Sequence, residues 1–252
     1  MCNNKIYMNK DEIKNNSNEI DNNKKEQETE NYELNIKLSF PLHVKKSLTI
    51  INKIIKKINT IVYIVDSRVF ELTLDLDILT QFNLKDKFLI FFFNKTDLID
   101  EIIQKKLKNF IDNIKNNIDE LKKRFKLKEI FFIVGNKDKI KELRKTLKEI
   151  AKKELFINVV IIGYPNVGKS TIINKLVNKS KAKVEDKVGT TRSLQWFSIE
   201  YNIKILDSPG IILPKNISLK NALILYKFNI ISENFIPLPK EKIKTLLTKL
   251  KI

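Results

Sequence analysis

The stretch GYPNVGKS, residues 163–170, has the spacing of a loop that can hold a phosphate chain. It follows an apolar run that reads as a buried strand and precedes TIINKLVNK, which has helical spacing. Its glycines let the backbone come close to a ligand, and the helix N-terminus behind them favours an anion. In this geometry backbone N–H groups along Gly163, Asn166, Val167, Gly168 and Thr171 wrap the β-phosphate. Lys169 reaches the β- and γ-phosphates, and the Ser170 hydroxyl ligates Mg²⁺.

Three further short stretches fit the same chemistry. DSPG, residues 207–210, ends an apolar strand 38 positions after Lys169, where Asp207 can hold a magnesium-bound water and the Gly210 amide can sense a γ-phosphate. Between them VGTTR offers Thr190 and Thr191 as hydroxyl ligands for magnesium when a triphosphate is bound; the Gly-x-Thr spacing favours Thr191. NKTD, residues 94–97, follows the apolar run KFLIFFF. The Asp97 carboxylate can accept from both N1–H and the 2-amino group of guanine, and adenine offers neither donor. Lys95 can lie along the base plane, and Asn94 can tie this loop to the phosphate loop. The nucleotide expected is therefore GTP or GDP. Glycine usage points the same way: of five glycines (135, 163, 168, 189 and 210), all but Gly135 lie in GYPNVGKS, VGTTR and DSPG.

The elements that must position these loops alternate between two periods. Residues 45–59 have helical spacing, 60–66 and 87–93 read as buried strands, and a long Lys-rich helix is expected over about 98–123. A strand at 129–134, a helix over about 138–153 and a strand at 156–162 follow, then QWFSIEY and NIKILD as a strand pair expected to be antiparallel. This alternation predicts an α/β fold with a mainly parallel sheet and helices on both faces. After Pro214 the pattern turns helical, and those two helices are expected to pack on the body or on a partner.

The formal charge is +18 and it is unevenly spread. Residues 1–34 hold five lysines and eight acids, net −3, so the remainder carries +21 and is the part suited to a polyanion. Low apolar content makes residues 1–36 a polar extension expected to be disordered. A single cysteine, Cys2, leaves no disulfide framework and no cysteine-based zinc site. The apolar runs fall far short of a membrane span, and no signal or transit pattern opens the chain, so a cytoplasmic protein without a membrane partner is expected.

All the loops of a GTPase are thus present, in rotated order: base loop, phosphate loop, switch threonine, DxxG. Joining the usual last helix to the usual first strand and opening the chain after DxxG produces this order, so the fold expected is a circularly permuted P-loop GTPase fold. In that order the chain resembles the circularly permuted GTPases, and among them the ribosome biogenesis GTPase A family, also called YlqF. The stretches that carry the resemblance are FPLHVKKS (40–47), VDSR (65–68), NKTD, GYPNVGKST, GTTRSLQW and LDSPGIILPK, spanning about residues 38–216. Relatives with a cysteine zinc module are disfavoured by the lone cysteine.

The resemblance implies a GTPase domain over 37–215 with a helical segment at 216–252. It implies GTP hydrolysis to GDP and phosphate, coupled to late assembly of the large ribosomal subunit, with ribosomal RNA as the main partner, a monomer, and no DNA. Lys169 and Thr191 would serve catalysis beside Mg²⁺. The position after Gly210 is Ile211, which cannot orient water, and the family's proposed substitute corresponds to His43, the only histidine. Asn166 corresponds to an asparagine that helps bind K⁺ in related enzymes. Three departures are visible: VGNKD (134–138) where a small-residue loop usually touches guanine O6, Leu42 where the family has glycine, and only 42 residues after Gly210 where the family carries a larger helical domain. That shortening keeps a second class in view, a guanine-nucleotide switch that docks on RNA or protein with slow or no hydrolysis. An ATP-using P-loop enzyme is opposed by NKTD.

Overall fold

The structure is a computed structural model and describes residues 35–38, 48–49, 51–136, 139–177, 195–208, 210–211 and 215–250. His43, Leu42, Thr190, Thr191 and the expected extension up to residue 34 lie outside the described residues.

Three apolar runs form the centre of a six-stranded sheet. β2 (Thr60–Asp66), β3 (Phe88–Asn94) and β5 (Ile157–Gly163) run parallel, and every residue of β2 and β3 is buried. A strand covered on both faces reads as a continuous apolar run, which is why these three stand out in the sequence. β4 (Glu129–Val134) adds beside β3, while β7 (Ile203–Asp207) pairs parallel with β5 and antiparallel with β6 (Gln195–Glu200), giving the order β4-β3-β2-β5-β7-β6.

The expected helix over 98–123 is two helices, α1 (Glu101–Asn116) and α2 (Ile118–Phe125). Asp100 caps α1 by accepting from the Ile103 amide at 2.8 Å, and the ladder breaks at Asn117, where φ is −107° and ψ is 20°. The break lets Leu107 and Ile111 of α1 and Leu121 and Phe125 of α2 all reach the core. α3 (Ile140–Glu154) packs on β5, β7 and α4 (Lys169–Leu176), burying Leu143 and Leu147 completely.

A second, two-stranded sheet pairs β1 (Asn35–Leu38) with β8 (Lys215–Ser218) in antiparallel register, Asn35 opposite Ser218. The chain entering the body and the chain leaving the DSPG loop therefore meet. α5 (Leu219–Lys227), capped by Ser218, packs on this ribbon, and α6 (Lys240–Lys249) packs on α5. Leu219, Ala222, Leu223 and Leu225 are buried, so the C-terminal helices rest on the body.

Candidate functional site

Chain order in the sheet reverses between β2 and β5. From β2 the connections run outward to β3 and β4, and from β5 they run the other way to β7. In an open parallel sheet the crevice at such a reversal, beyond the carboxyl ends of the strands, is where a ligand enters. GYPNVGKS leaves the end of β5, NKTD leaves β3, VDSR leaves β2 and DSPG leaves β7, so four stretches from distant parts of the chain converge there.

The phosphate loop holds an open backbone. Gly163 and Gly168 have φ of +145° and +104°, and Asn166 also lies at positive φ, +57°. A Cβ on Gly163 would sit 2.5 Å from the Ile64 carbonyl oxygen, and one on Gly168 would sit 2.4 Å from Asn94 Nδ2. Asn94 donates through that Nδ2 to the Val167 carbonyl at 2.8 Å, fastening the base loop to the phosphate loop. Lys95, itself at φ +65°, reaches across the crevice and donates from Nζ to the Asn166 carbonyl at 2.7 Å and to Asp66 Oδ2 at 2.8 Å. Asp97 is exposed on the turn Thr96–Leu98, and the Thr96 amide donates to the Gly135 carbonyl at 3.2 Å, setting residues 135–136 beside the base loop.

Lys169 begins α4 and is buried, with Nζ donating to the carbonyls of Tyr164 at 2.6 Å and Gly163 at 3.2 Å. Burial pushes its pKa down to about 8 against the opposing charge of Asp207, so it remains cationic at neutral pH. Burial likewise raises the Asp207 carboxyl above its ordinary value, offset in part by the Lys169 charge and by hydrogen bonds from the Ser170 hydroxyl and the Ser208 amide. The two side chains expected at magnesium, Ser170 and Asp207, are thus hydrogen-bonded neighbours. Thr171 is exposed in the first turn of α4.

The DSPG loop is fixed to the phosphate loop. Ser208 Oγ donates to the Ile161 carbonyl at 2.5 Å, and the Ile211 amide donates to the Gly163 carbonyl at 3.0 Å. A Cβ on Gly210 would fall 2.6 Å from the Pro165 nitrogen, so only glycine allows this approach. The Ile211 side chain is fully buried.

The residues that bring Lys95 into this network were not singled out as site residues in the sequence. Asp66, fully buried at the end of β2, accepts from the Arg68 amide (3.1 Å), Nε (2.9 Å) and Nη2 (2.7 Å) as well as from Lys95. Burial alone would raise its pKa, but hydrogen bonds from Arg68 and Lys95 and their charges outweigh it and hold the carboxyl below its usual range. An acid and an arginine two positions apart at the end of a strand are the signal that could have marked it. Arg68 also stacks over the Phe228 ring at 4.7 Å, and Asn166 Nδ2 donates to the Asn229 carbonyl at 2.6 Å, so the turn after α5 touches the phosphate loop.

Strand order, a phosphate loop at the switch point and a base loop that precedes it in the chain define a circularly permuted P-loop GTPase fold. A family profile described as 50S ribosome-binding GTPase matches residues 158–242. Ribosome biogenesis GTPase A of Thermotoga maritima is 35% identical over 178 residues, 71% of this chain and 60% of the relative. A GTP-binding protein of Methanocaldococcus jannaschii is 36% identical over 163 residues, 65% of this chain and 40% of that protein. The crystal structure of GNP-bound YlqF from T. maritima superposes with a TM-score of 0.51 at 26% identity, covering 82% of this chain and 77% of that one. The chain resembles the ribosome biogenesis GTPase A (YlqF) family, and it spans from 40% to 60% of the length of these two curated relatives.

Proposed function

We propose that this chain binds GTP, hydrolyses it to GDP and phosphate, and acts in ribosome biogenesis through the large ribosomal subunit and its RNA. The observation that carries the reading is the bond from Asn94 to the Val167 carbonyl, which joins a guanine-selective loop to a phosphate loop 73 residues further along the chain. The nucleotide fits the residues present. Backbone held at positive φ leaves room that a Cβ would fill, Lys169 is a buried cation beside that space, and Asp97 stands ready for the guanine edge.

Magnesium would be held by Ser170, with Asp207 acting through a water and Thr191 joining when triphosphate is bound. No group of three or more His, Cys, Asp or Glu side chains that could hold a metal ion occurs among the described residues, and phosphate oxygens would supply the rest of the coordination. The ion's role is to neutralise charge that develops on the transferred group. Asn166 has its Nδ2 engaged by Asn229, which leaves Oδ1 as the atom to meet a potassium ion. Lys169 stabilises the same charge from the protein side, and orienting water falls to His43, the match to the family's proposed residue, since Ile211 is buried and aliphatic. One relative is a ribosome biogenesis GTPase A and the matching profile is described as 50S ribosome-binding, which supports the large subunit as partner. No helix among the described residues is long and apolar enough to cross a membrane.

The test is GTP turnover in potassium and in sodium buffer, with and without purified large ribosomal subunits. Stimulation by subunits in potassium, lost in His43→Ala, is the expected result. GTP binding with turnover at background under every condition would replace hydrolysis by the second reading, a slow guanine-nucleotide switch, which the buried Ile211 favours.

A further inference from the structure

Opposite the nucleotide loops lies the amino-terminal end of the parallel strands, where the segments entering β4, β3, β2, β5 and β7 form one continuous ridge. Hydrogen bonds join each to the next. The Lys128 amide donates to the Lys87 carbonyl (2.9 Å), Phe88 to Asn59 (2.9 Å), Asn59 to Asn158 (3.0 Å) and Ile157 to Asn202 (2.9 Å). At about 4.8 Å between strands the ridge is roughly 19 Å wide.

Two kinds of side chain are exposed there. Lys56, Lys57, Lys85, Lys126 and Lys152 are exposed and have no ion pair among the described residues. The nearby acids Glu129, Glu154 and Glu200 are already paired, with Lys153, Lys128 and Lys148, and Asp86 is the remaining acid of the ridge. Among these lysines stand three large apolar side chains, Leu155 at 83% exposure, Phe156 at 40% and Tyr201 at 92%, the last at the tip of the β6–β7 turn. Asn202 Nδ2 donates to the Leu155 carbonyl at 3.2 Å, so the turn and the apolar pair adjoin. Leu155 is held at φ +63°, a conformation that leucine resists, and among the described residues Leu155 and Tyr201 are left almost uncovered while Phe156 is partly covered.

We infer that this ridge is an RNA-binding surface, with the lysines neutralising phosphates and Tyr201 and Phe156 stacking on unpaired bases. Unpaired positive charge interleaved with aromatic faces is the arrangement that single-stranded RNA requires. The choice of RNA over another polyanion rests on the ribosomal reading above. The surface lies at the opposite end of the sheet from the nucleotide, so RNA and GTP occupy separate sites.

Binding of a fluorescein-labelled 20-nucleotide single-stranded RNA of mixed sequence, followed by anisotropy over a salt series, tests it. Tyr201→Ala is expected to weaken binding about tenfold while Tyr201→Phe keeps it, as loss of one stacked base implies. Lys56→Gln/Lys57→Gln is expected to lower the slope of log K against log salt by about 1.4, two phosphate contacts at about 0.7 each. GDP affinity should not change in either. If the wild type binds RNA and these variants bind equally well, the surface is wrong while the RNA reading stands. No RNA binding at low salt, or capture by anionic phospholipid vesicles instead, overturns the proposal, and the subunit-stimulated turnover assay then judges the ribosomal reading separately.

Discussion

Replacing Asp66 should damage both stability and nucleotide binding, although Asp66 touches no part of the expected ligand. Its carboxylate is fully buried and accepts four hydrogen bonds, three from Arg68 and one from Lys95, so one anion serves two cations. Breaking a buried pair costs about 3 to 5 kcal/mol. Here the cations' side chains are 18% and 21% exposed and recover some water, which lowers the expected loss for Asp66→Ala to about 3 kcal/mol. Asp66→Asn is only slightly milder, because its amide nitrogen must face Arg68 or Lys95, both donors, and a loss of about 2 to 3 kcal/mol follows. Lys95 also holds the Asn166 carbonyl, so the phosphate loop loses a charge-assisted bond and GDP affinity should fall about tenfold. Urea unfolding at pH 7 and titration with a fluorescent GDP measure the two effects. Because the folded pKa is depressed, the carboxylate's contribution is fully present above the ordinary value of 3.8 and disappears as pH falls through the folded value. The stability gap between wild type and Asp66→Asn should therefore hold from pH 7 to 5 and close only below about pH 4. A gap under about 0.5 kcal/mol at pH 7, or GDP affinity equal to wild type, would refute the role assigned to this carboxylate.

Two further outcomes follow from the phosphate loop. Gly168→Ala places a Cβ 2.4 Å from Asn94 Nδ2 at a φ of +104°, so the Asn94–Val167 bond must break. Calorimetric titration should show GDP affinity reduced at least about tenfold, with stability reduced by about 2 kcal/mol. Lys169, with a pKa near 8 in the free protein, must be protonated to meet phosphate. GDP affinity should be flat below pH 8 and fall by up to about tenfold per unit above it, a dependence absent in Lys169→Met. Stability should move the other way, rising between pH 8 and 10.5 because the unfolded chain then binds the extra proton. Affinity that rises with pH would contradict the burial of this lysine.

The central strands were legible because β2, β3 and β5 are apolar along their whole length, and the loops because phosphate and guanine chemistry tolerates few residue types. Nothing comparable marks β1 and β8. NIKL and KNIS are four residues each, and what makes them strands is their pairing across about 180 positions, a property of neither segment alone. The break at Asn117 escaped for a related reason. Both flanks, Glu101–Asn116 and Ile118–Phe125, keep helical spacing, and only the need to place two apolar faces on one sheet decides that the ladder stops between them. Asp66 lies in VDSR, yet its importance depends on Lys95, which bridges it to the Asn166 carbonyl only through the order of strands in the sheet.

That order also explains what permutation changes physically. Opening the chain after DSPG does not release the segment beyond it. β8 returns to pair with β1, α5 packs on the ribbon, and the turn at Phe228 and Asn229 comes back to Arg68 and Asn166. The segments on either side of β8 and α5 therefore both touch the phosphate loop, through the Ile211 amide on Gly163 and the Asn229 carbonyl on Asn166. A ligand that repositions the phosphate loop must work against both contacts, which is the differential interaction that coupling between a nucleotide and the C-terminal helices requires.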